Sequence, residues 1–221
     1  MDLSQLRLFQ LEFGALLTYA PHGKSPETRR SKDVMFVLKR DGYVGQPKIL
    51  MSEWIAQTIQ RRMTKLPFAS FFQSNTIMVP TPKSSLMKPD SLWVPERIAT
   101  ALVRAGIGKG VASCLIREKA VPKAAFCAPS ERPTATQHYE SMSVQGSLST
   151  PDEILLIDDV VTRGATLLGA ANRLAQVFPR SHIRAFAAMR TISNPGEFEK
   201  VYNPCIGTID LWESGDTFRT P

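Results

Sequence analysis

Ten consecutive residues, Ile157-Asp158-Asp159-Val160-Val161-Thr162-Arg163-Gly164-Ala165-Thr166, carry the densest chemistry in this sequence. Adjacent carboxylates are acceptors whose spacing matches vicinal hydroxyl donors, and they tolerate a Mg2+ ion held by the same ligand. Thr162 to Thr166 adds two hydroxyls, a cation and a glycine, where backbone amides can converge on an anion. The flanking patterns position this chemistry. Ile154 to Ile157 is an apolar run of strand length, as in a central strand buried on both faces. Leu167, Leu168, Ala171, Leu174, Ala175 and Phe178 make one apolar stripe at helical spacing. The order is buried strand, acidic pair, phosphate-sized loop and helix N-terminus. Unpaired amides and the positive end of the helix dipole favour a phosphate there, and Gly164 lets the backbone approach it. A sugar phosphate would use every part. The plainer alternative is a strand-to-helix turn capped by two solvated aspartates.

Other segments must supply the remaining walls. Thr76 to Val79 reads as a short buried strand, and Pro80-Thr-Pro-Lys83-Ser84-Ser85 as a turn with hydroxyls and a cation at its carboxyl end. Ligands of open parallel sheets bind at that edge, so this turn would face the same crevice as the acidic pair; an ordinary Pro-rich turn is the alternative. From Arg117 to Gln137 periodicity is lost, and Arg117, Lys119, Lys123 and Arg132 stand among prolines, as in a functional lid or a disordered segment. His138 follows, as a general base or as a surface or capping histidine.

The rest reads as scaffold. Leu3 to Tyr19 predicts an amphipathic helix on Leu6, Phe9, Phe13, Leu16 and Leu17, and His22 to Lys32 a polar loop. Asp33 to Arg40 is a short helix stopped by Gly42, with a strand over Val34 to Leu38 as the alternative. Helices are expected over Ile49 to Met63 and Ser91 to Ala105, and strands over Ala112 to Ile116 and Ile183 to Met189. Residues 194–221 predict a short strand pair or a cap. Strands alternating with helices argue an α/β fold, a doubly wound and mostly parallel sheet.

The 221 residues suffice for one full core, taken as a single domain over 1–221 with about 1–30 and 194–221 as a hood or cap. A hydrophobic content of 43% with 21% charged residues is that of a soluble globular chain, and no apolar run reaches membrane-spanning length. The opening residues carry Arg7 and Glu12 and read as neither signal peptide nor anchor, so a cytoplasmic location is expected and no membrane partner. Cys114, Cys127 and Cys205 are scattered and form no CxxC pair, against both a disulfide framework and a zinc site. Residues 1–75 hold 11 basic against 6 acidic side chains, 76–150 hold 9 against 5, and 151–221 hold 7 against 9. The positive excess lies outside the motif. It suits a lid over a polyphosphate, a surface for nucleic acid, or a plain solvated face.

The ten-residue stretch resembles the phosphoribosyl-diphosphate (PRPP) motif of type I phosphoribosyltransferases: hydrophobic residues, two acids, two further residues, then Thr-Thr-Gly-x-Thr. Arg163 departs from it, standing where the family usually has a second threonine. Val79-Pro-Thr-Pro82 and Val37-Leu-Lys-Arg-Asp-Gly42 are similar to elements of the competence protein ComF-like members, whose N-terminal zinc-binding cysteines this sequence lacks. The resemblance implies a type I phosphoribosyltransferase fold with a small hood. It implies Mg2+-dependent transfer of ribose 5-phosphate from PRPP to a nitrogen nucleophile, a small-molecule acceptor. Thr162, Arg163, Gly164, Ala165 and Thr166 would then hold the 5′-phosphate, and Asp158 and Asp159 the ribose and, through water, the metal. Lys83, Ser84 and Ser85 would hold the diphosphate, Lys83 as a catalytic cation, beneath a mobile loop bearing Arg117, Lys119, Lys123 and Arg132. A non-catalytic PRPP-fold protein contacting single-stranded DNA is the other reading, with a homodimer open to either. Only Phe126 interrupts the basic loop as a stacking surface.

Overall fold

The strand that carries the acidic pair is buried on both faces, and its side chains alternate between two cores. The computed structural model describes residues 6–88, 90–123, 127–128, 131–146 and 150–221. In strand β8 (Glu153–Val161), Ile154 and Leu156 enter one hydrophobic cluster while Leu155 and Ile157 enter the other. This is the two-residue period of a pleated strand with no solvent face.

Around β8 the sheet has seven strands in the order β11-β10-β1-β9-β8-β4-β5. These are β1 (Gln10–Tyr19), β4 (Ile77–Pro80), β5 (Gly110–Val111), β9 (His182–Thr191), β10 (Tyr202–Leu211) and β11 (Thr217–Thr220). The pairs β1/β9, β9/β8, β8/β4 and β4/β5 are parallel, and β10 and β11 add an antiparallel edge. Helices α1 (Pro26–Lys39), α2 (Met51–Arg62) and α3 (Val94–Arg104) bury Leu38, Ile55, Ile59, Ile98 and Leu102 in the cluster with Leu155. Helix α5 (Ala165–Val177) buries Leu167, Leu168, Ala171 and Leu174 on the other face, and α4 (Ala135–Glu140) adds Ala135. Two short ribbons complete the fold, β2 (Tyr43–Val44) with β3 (Ile49–Leu50), and β6 (Leu115–Arg117) with β7 (Met142–Val144). The mixed, mostly parallel, doubly wound architecture expected from the sequence is what the chain adopts. Among the described residues no helix is long and apolar enough to cross a membrane.

Four segments differ from expectation. The first is residues 10–19, which form central strand β1 and not part of a helix. Leu11, Phe13 and Ala15 face the α5 side, an irregularity follows between Ala15 and Leu17, and Leu16 and Leu17 face the other side. A strand apolar on both faces loses its alternation, and its spacing then also satisfies a helical stripe. The second is the polar stretch 22–32, which is half helix. α1 starts at Pro26, capped by the Ser25 hydroxyl, which accepts from the Thr28 amide at 3.2 Å. The third is 112–116, where one strand is expected: β5 ends at Val111, residues 112–114 lie in no strand, and β6 begins at Leu115 in a different sheet. The fourth is the pair of segments expected as hood or cap: β1 and the β10–β11 hairpin are strands of the main sheet, although the strand pair expected over 194–221 is present as that hairpin. Of the expected lid, residues 124–126 and 129–130 lie outside the described residues, as do 1–5 of the N-terminal segment.

Close packing fixes the centre of the sheet. A Cβ at Gly14 would stand 2.6 to 2.9 Å from three atoms of Phe68, a fully buried ring that packs on Phe186 with centroids 5.4 Å apart. Gly14→Ala should therefore destabilise the protein by about 1–3 kcal/mol, the usual range for overpacking a well-filled core. An unchanged urea midpoint would show that the Phe68 ring can move aside.

Candidate functional site

Strand alternation sends the two carboxylates of β8 to different surroundings. Asp159 pairs with Lys39 from the last turn of α1, with Nζ 2.9 Å from Oδ1. Burial pulls the Lys39 pKa down, but Asp159, its hydrogen bond and then Asp158 outweigh that pull and raise it. Asp158 lines a small cleft with Pro133, His138 and the loop Val160 to Leu167. Burial, and next the charge of Asp159, hold its carboxyl well above the usual range, against the opposing pull of Lys39 and the hydrogen bond from the Asp159 amide. The Asp159 amide donates to Asp158 Oδ1 at 2.8 Å, and the Val160 amide to Asp159 Oδ1 at 2.7 Å.

The anion loop follows directly. Gly164 caps α5 with φ 90°, a left-handed conformation suited to glycine. Its lack of a side chain has a second cause, since a Cβ there would lie 2.6 Å from the side chain of Ile209 on β10. Ala165 is buried, Thr166 is half-buried with Oγ1 3.3 Å from His138 Nε2, and Thr162 is exposed. Arg163 is tied to the C-terminal hairpin, its Nη1 lying 2.6 and 2.5 Å from the two carboxylate oxygens of Asp216. Arg219 of β11 donates from Nε to the Thr162 carbonyl at 2.6 Å and from Nη2 to the Thr191 carbonyl at 2.5 Å.

The turn after β4 leaves the same edge, because Pro80 is the register partner of Ile157. The Thr81 amide and hydroxyl both donate to the Ile157 carbonyl, at 2.9 and 3.1 Å, and Trp93 Nε1 donates to the Thr81 carbonyl at 2.7 Å. Lys83 and Ser84 are half-buried and Ser85 is exposed. The Lys83 carbonyl accepts from Arg117 Nε at 2.9 Å, and the Ser84 carbonyl from the Val121 amide at 2.9 Å.

Arg117, expected on the lid, is instead the last residue of β6 and is 3% exposed. Its Nη1 donates to Ser141 Oγ at 2.5 Å, while Nη2 is buried without a partner. Burial lowers its pKa to about 10, and nearby Asp158 opposes the shift. The strand places it there because Leu115 and Arg117 fall on the buried phase of β6. Lys119 and Lys123 are exposed, and Arg132 is half-buried with its Nε buried and unpartnered. His138 is neither a surface nor a capping residue. It is 5% exposed, and burial, then the charges of Arg117 and Arg163, push its pKa down to about 3.

Sequence reasoning missed Lys39, Thr81, Asp216 and Arg219 as site residues. Lys39 had a signal in the Leu38-Lys39 element before Gly42, and Thr81 in its place between two prolines. Asp216 and Arg219 had none, because the contact arises only when β10 and β11 fold back onto the sheet.

The raised pKa of Asp158 has a defined sign. Below the ordinary carboxylate value of about 4 the group is protonated whether folded or not, and stability is then lost as pH rises through the higher folded value. Asp158→Asn should therefore melt above the parent at pH 8, with the gain shrinking toward pH 4. Equal melting temperatures at pH 8 would mean the carboxylate is not strained in the folded protein.

No protein-family model matches the chain, and no curated protein matches it. Among solved structures, the chain is similar to an alanine mutant from an analysis of an invariant aspartic acid in HPRTs. That match has 10% identity over 74% of this chain and 79% of the other, with a TM-score of 0.35. It is also similar to Trypanosoma cruzi hypoxanthine phosphoribosyl transferase, from work on the role of its C-terminal region in oligomeric state and enzymatic activity. There the identity is 10% over 74% of this chain and 75% of the other, with a TM-score of 0.34. Neither likeness bears on the chemistry of the site, which rests on the residues themselves.

Proposed function

We propose that the protein binds PRPP at the β8–α5 loop and transfers ribose 5-phosphate to a nitrogen nucleophile with release of diphosphate. One observation carries the reading: a single cleft joins the Asp158 carboxylate to the loop Val160 to Leu167, at the N-terminus of a 13-residue helix. That arrangement sets acceptors for ribose hydroxyls beside donors for a phosphate. The turn Lys83 to Ser85, leaving the neighbouring strand at the same edge, would supply a cation and hydroxyls to the diphosphate.

In such a transfer the bond from C1 to the diphosphate oxygen breaks, positive charge grows on the ribose and negative charge on the leaving group. The new bond forms from the nucleophile nitrogen to C1. The chain's task is to hold the ribose phosphate, stabilise the departing diphosphate and exclude water. Lys83 would meet the leaving group, and Arg117 would brace the Lys83 backbone from beneath. Lys119, Lys123 and Arg132 would cover the open side. The donor set suits Mg2+ only in part, because Asp159 is already engaged by Lys39 and the described residues contain no cluster of three or more His, Cys, Asp or Glu side chains. A Mg2+ ion arriving with PRPP and reached by Asp158 and Asp159 through water fits this set, and it would supply charge neutralisation of the diphosphate.

Titration calorimetry with PRPP and Mg2+ tests the reading. Binding should be measurable in the parent and weakened by at least about tenfold in Asp158→Asn/Asp159→Asn, since hydrogen bonds to charged groups are worth about 1.5–3 kcal/mol each. The same titration in Lys83→Ala, followed by diphosphate release with purine, pyrimidine and amine acceptors, separates binding from turnover. Turnover should fall more than affinity, because charge accumulates on the leaving group. A parent protein that takes up no PRPP at millimolar concentration would overturn the proposal.

A further inference from the structure

His138 is a buried side chain that the proposed reaction does not use, and its surroundings define what it can do. It lines the loop cleft, 5% exposed, with Nε2 3.3 Å from Thr166 Oγ1 and with Nδ1 buried and unpartnered. The charged groups whose fields reach it are the guanidinium groups of Arg117 on β6 and Arg163 on the loop. Both oppose a charged imidazole, so the ring is neutral and carries one proton. If Nδ1 held that proton, a buried N–H would lie without an acceptor. A bare lone pair in a cationic surrounding is the less costly occupant, which leaves the proton on Nε2.

The orientation of Thr166 follows. With Nε2–H donating, Thr166 Oγ1 is the acceptor, and its own hydrogen is free to turn away from the ring. Among the described residues that hydroxyl makes no other hydrogen bond. Thr166 is the second residue of α5, on the wall of the cleft that also presents the helix amides. We infer that His138 is a positioning residue for the phosphate subsite: it fixes the Thr166 hydroxyl as a donor into the cleft, so that an incoming phosphate meets a hydroxyl hydrogen. This rests on the phosphoribosyl reading for the identity of the ligand, but the ring's proton placement does not.

Two measurements test it. Long-range 1H–15N NMR of the unaltered protein without ligand reads the tautomer; Nε2–H is expected, and an Nδ1–H ring overturns the inference even if ribose 5-phosphate binds. Calorimetric titrations with ribose 5-phosphate and with inorganic phosphate then compare the parent with T166V, H138L, H138Q and the H138L/T166V pair. T166V and H138L should each weaken both ligands by about tenfold, the pair should bind no more weakly than T166V alone, and H138Q, which keeps an N–H donor, should stay near the parent. Losses that multiply in the double variant would make His138 an independent contact and overturn the positioning role. Since the His138 Cβ lies 2.6 Å from where a Cβ of Gly169 would stand, leucine risks misfolding there, and H138Q with the NMR measurement then decides. If the unaltered protein binds neither ligand, the phosphoribosyl reading falls and the role of the hydroxyl toward phosphate falls with it, whichever tautomer is seen.

Discussion

The alternation of side chains along one buried strand governs this molecule. β8 has no solvent face, so its residues must divide between two cores, and the division continues past the apolar run into the acids. Asp158 continues the phase of Ile154 and Leu156 and enters the loop cleft, while Asp159 continues the phase of Leu155 and Ile157 and meets Lys39. Two chemically identical neighbours thereby acquire different surroundings. One is compensated by an ammonium group at the surface, and the other is held neutral-prone by burial and by its twin. A single-residue slip in register would exchange their roles.

Much of the frame was legible because β8 and α5 are long and strongly patterned. Ile154 to Ile157 announced a strand, the stripe from Leu167 to Phe178 a helix, and the intervening residues a place for an anion. The turn after β4 was legible for the same reason, a short apolar run ended by prolines. β1 was not, since a strand apolar on both faces with an irregularity at residue 16 has no alternation left to detect. Arg117 was misplaced because an arginine among prolines looks solvated, whereas its burial depends on Ser141 and on the Lys83 carbonyl, both distant in sequence. His138 was ambiguous for a similar reason. Its partners come from α5, from β6 and from the loop, and none lies within its own turn of helix.

The apparent site is therefore assembled from more of the chain than its motif. α1 supplies Lys39, β6 supplies Arg117, α4 supplies His138, and the C-terminal hairpin supplies Asp216 and Arg219. Each contact is individually modest. Together they restrict the loop's backbone before any ligand arrives, and preorganisation of that kind lowers the ordering cost of binding.

The hairpin contact also changes how the ten-residue stretch should be regarded in evolution and in engineering. Arg163 and Asp216 lie 53 positions apart yet share an ion pair, and the hydrogen atom of Gly164 stands where any larger substituent would displace Ile209. Drift at one of these positions is therefore constrained by the state of another, so 163 with 216, and 164 with 209, are expected to vary together in descendants of this sequence. A stretch that looks like a portable cassette is in fact keyed to its own far end, and moving it to a scaffold without that hairpin would carry over the letters but not the shape.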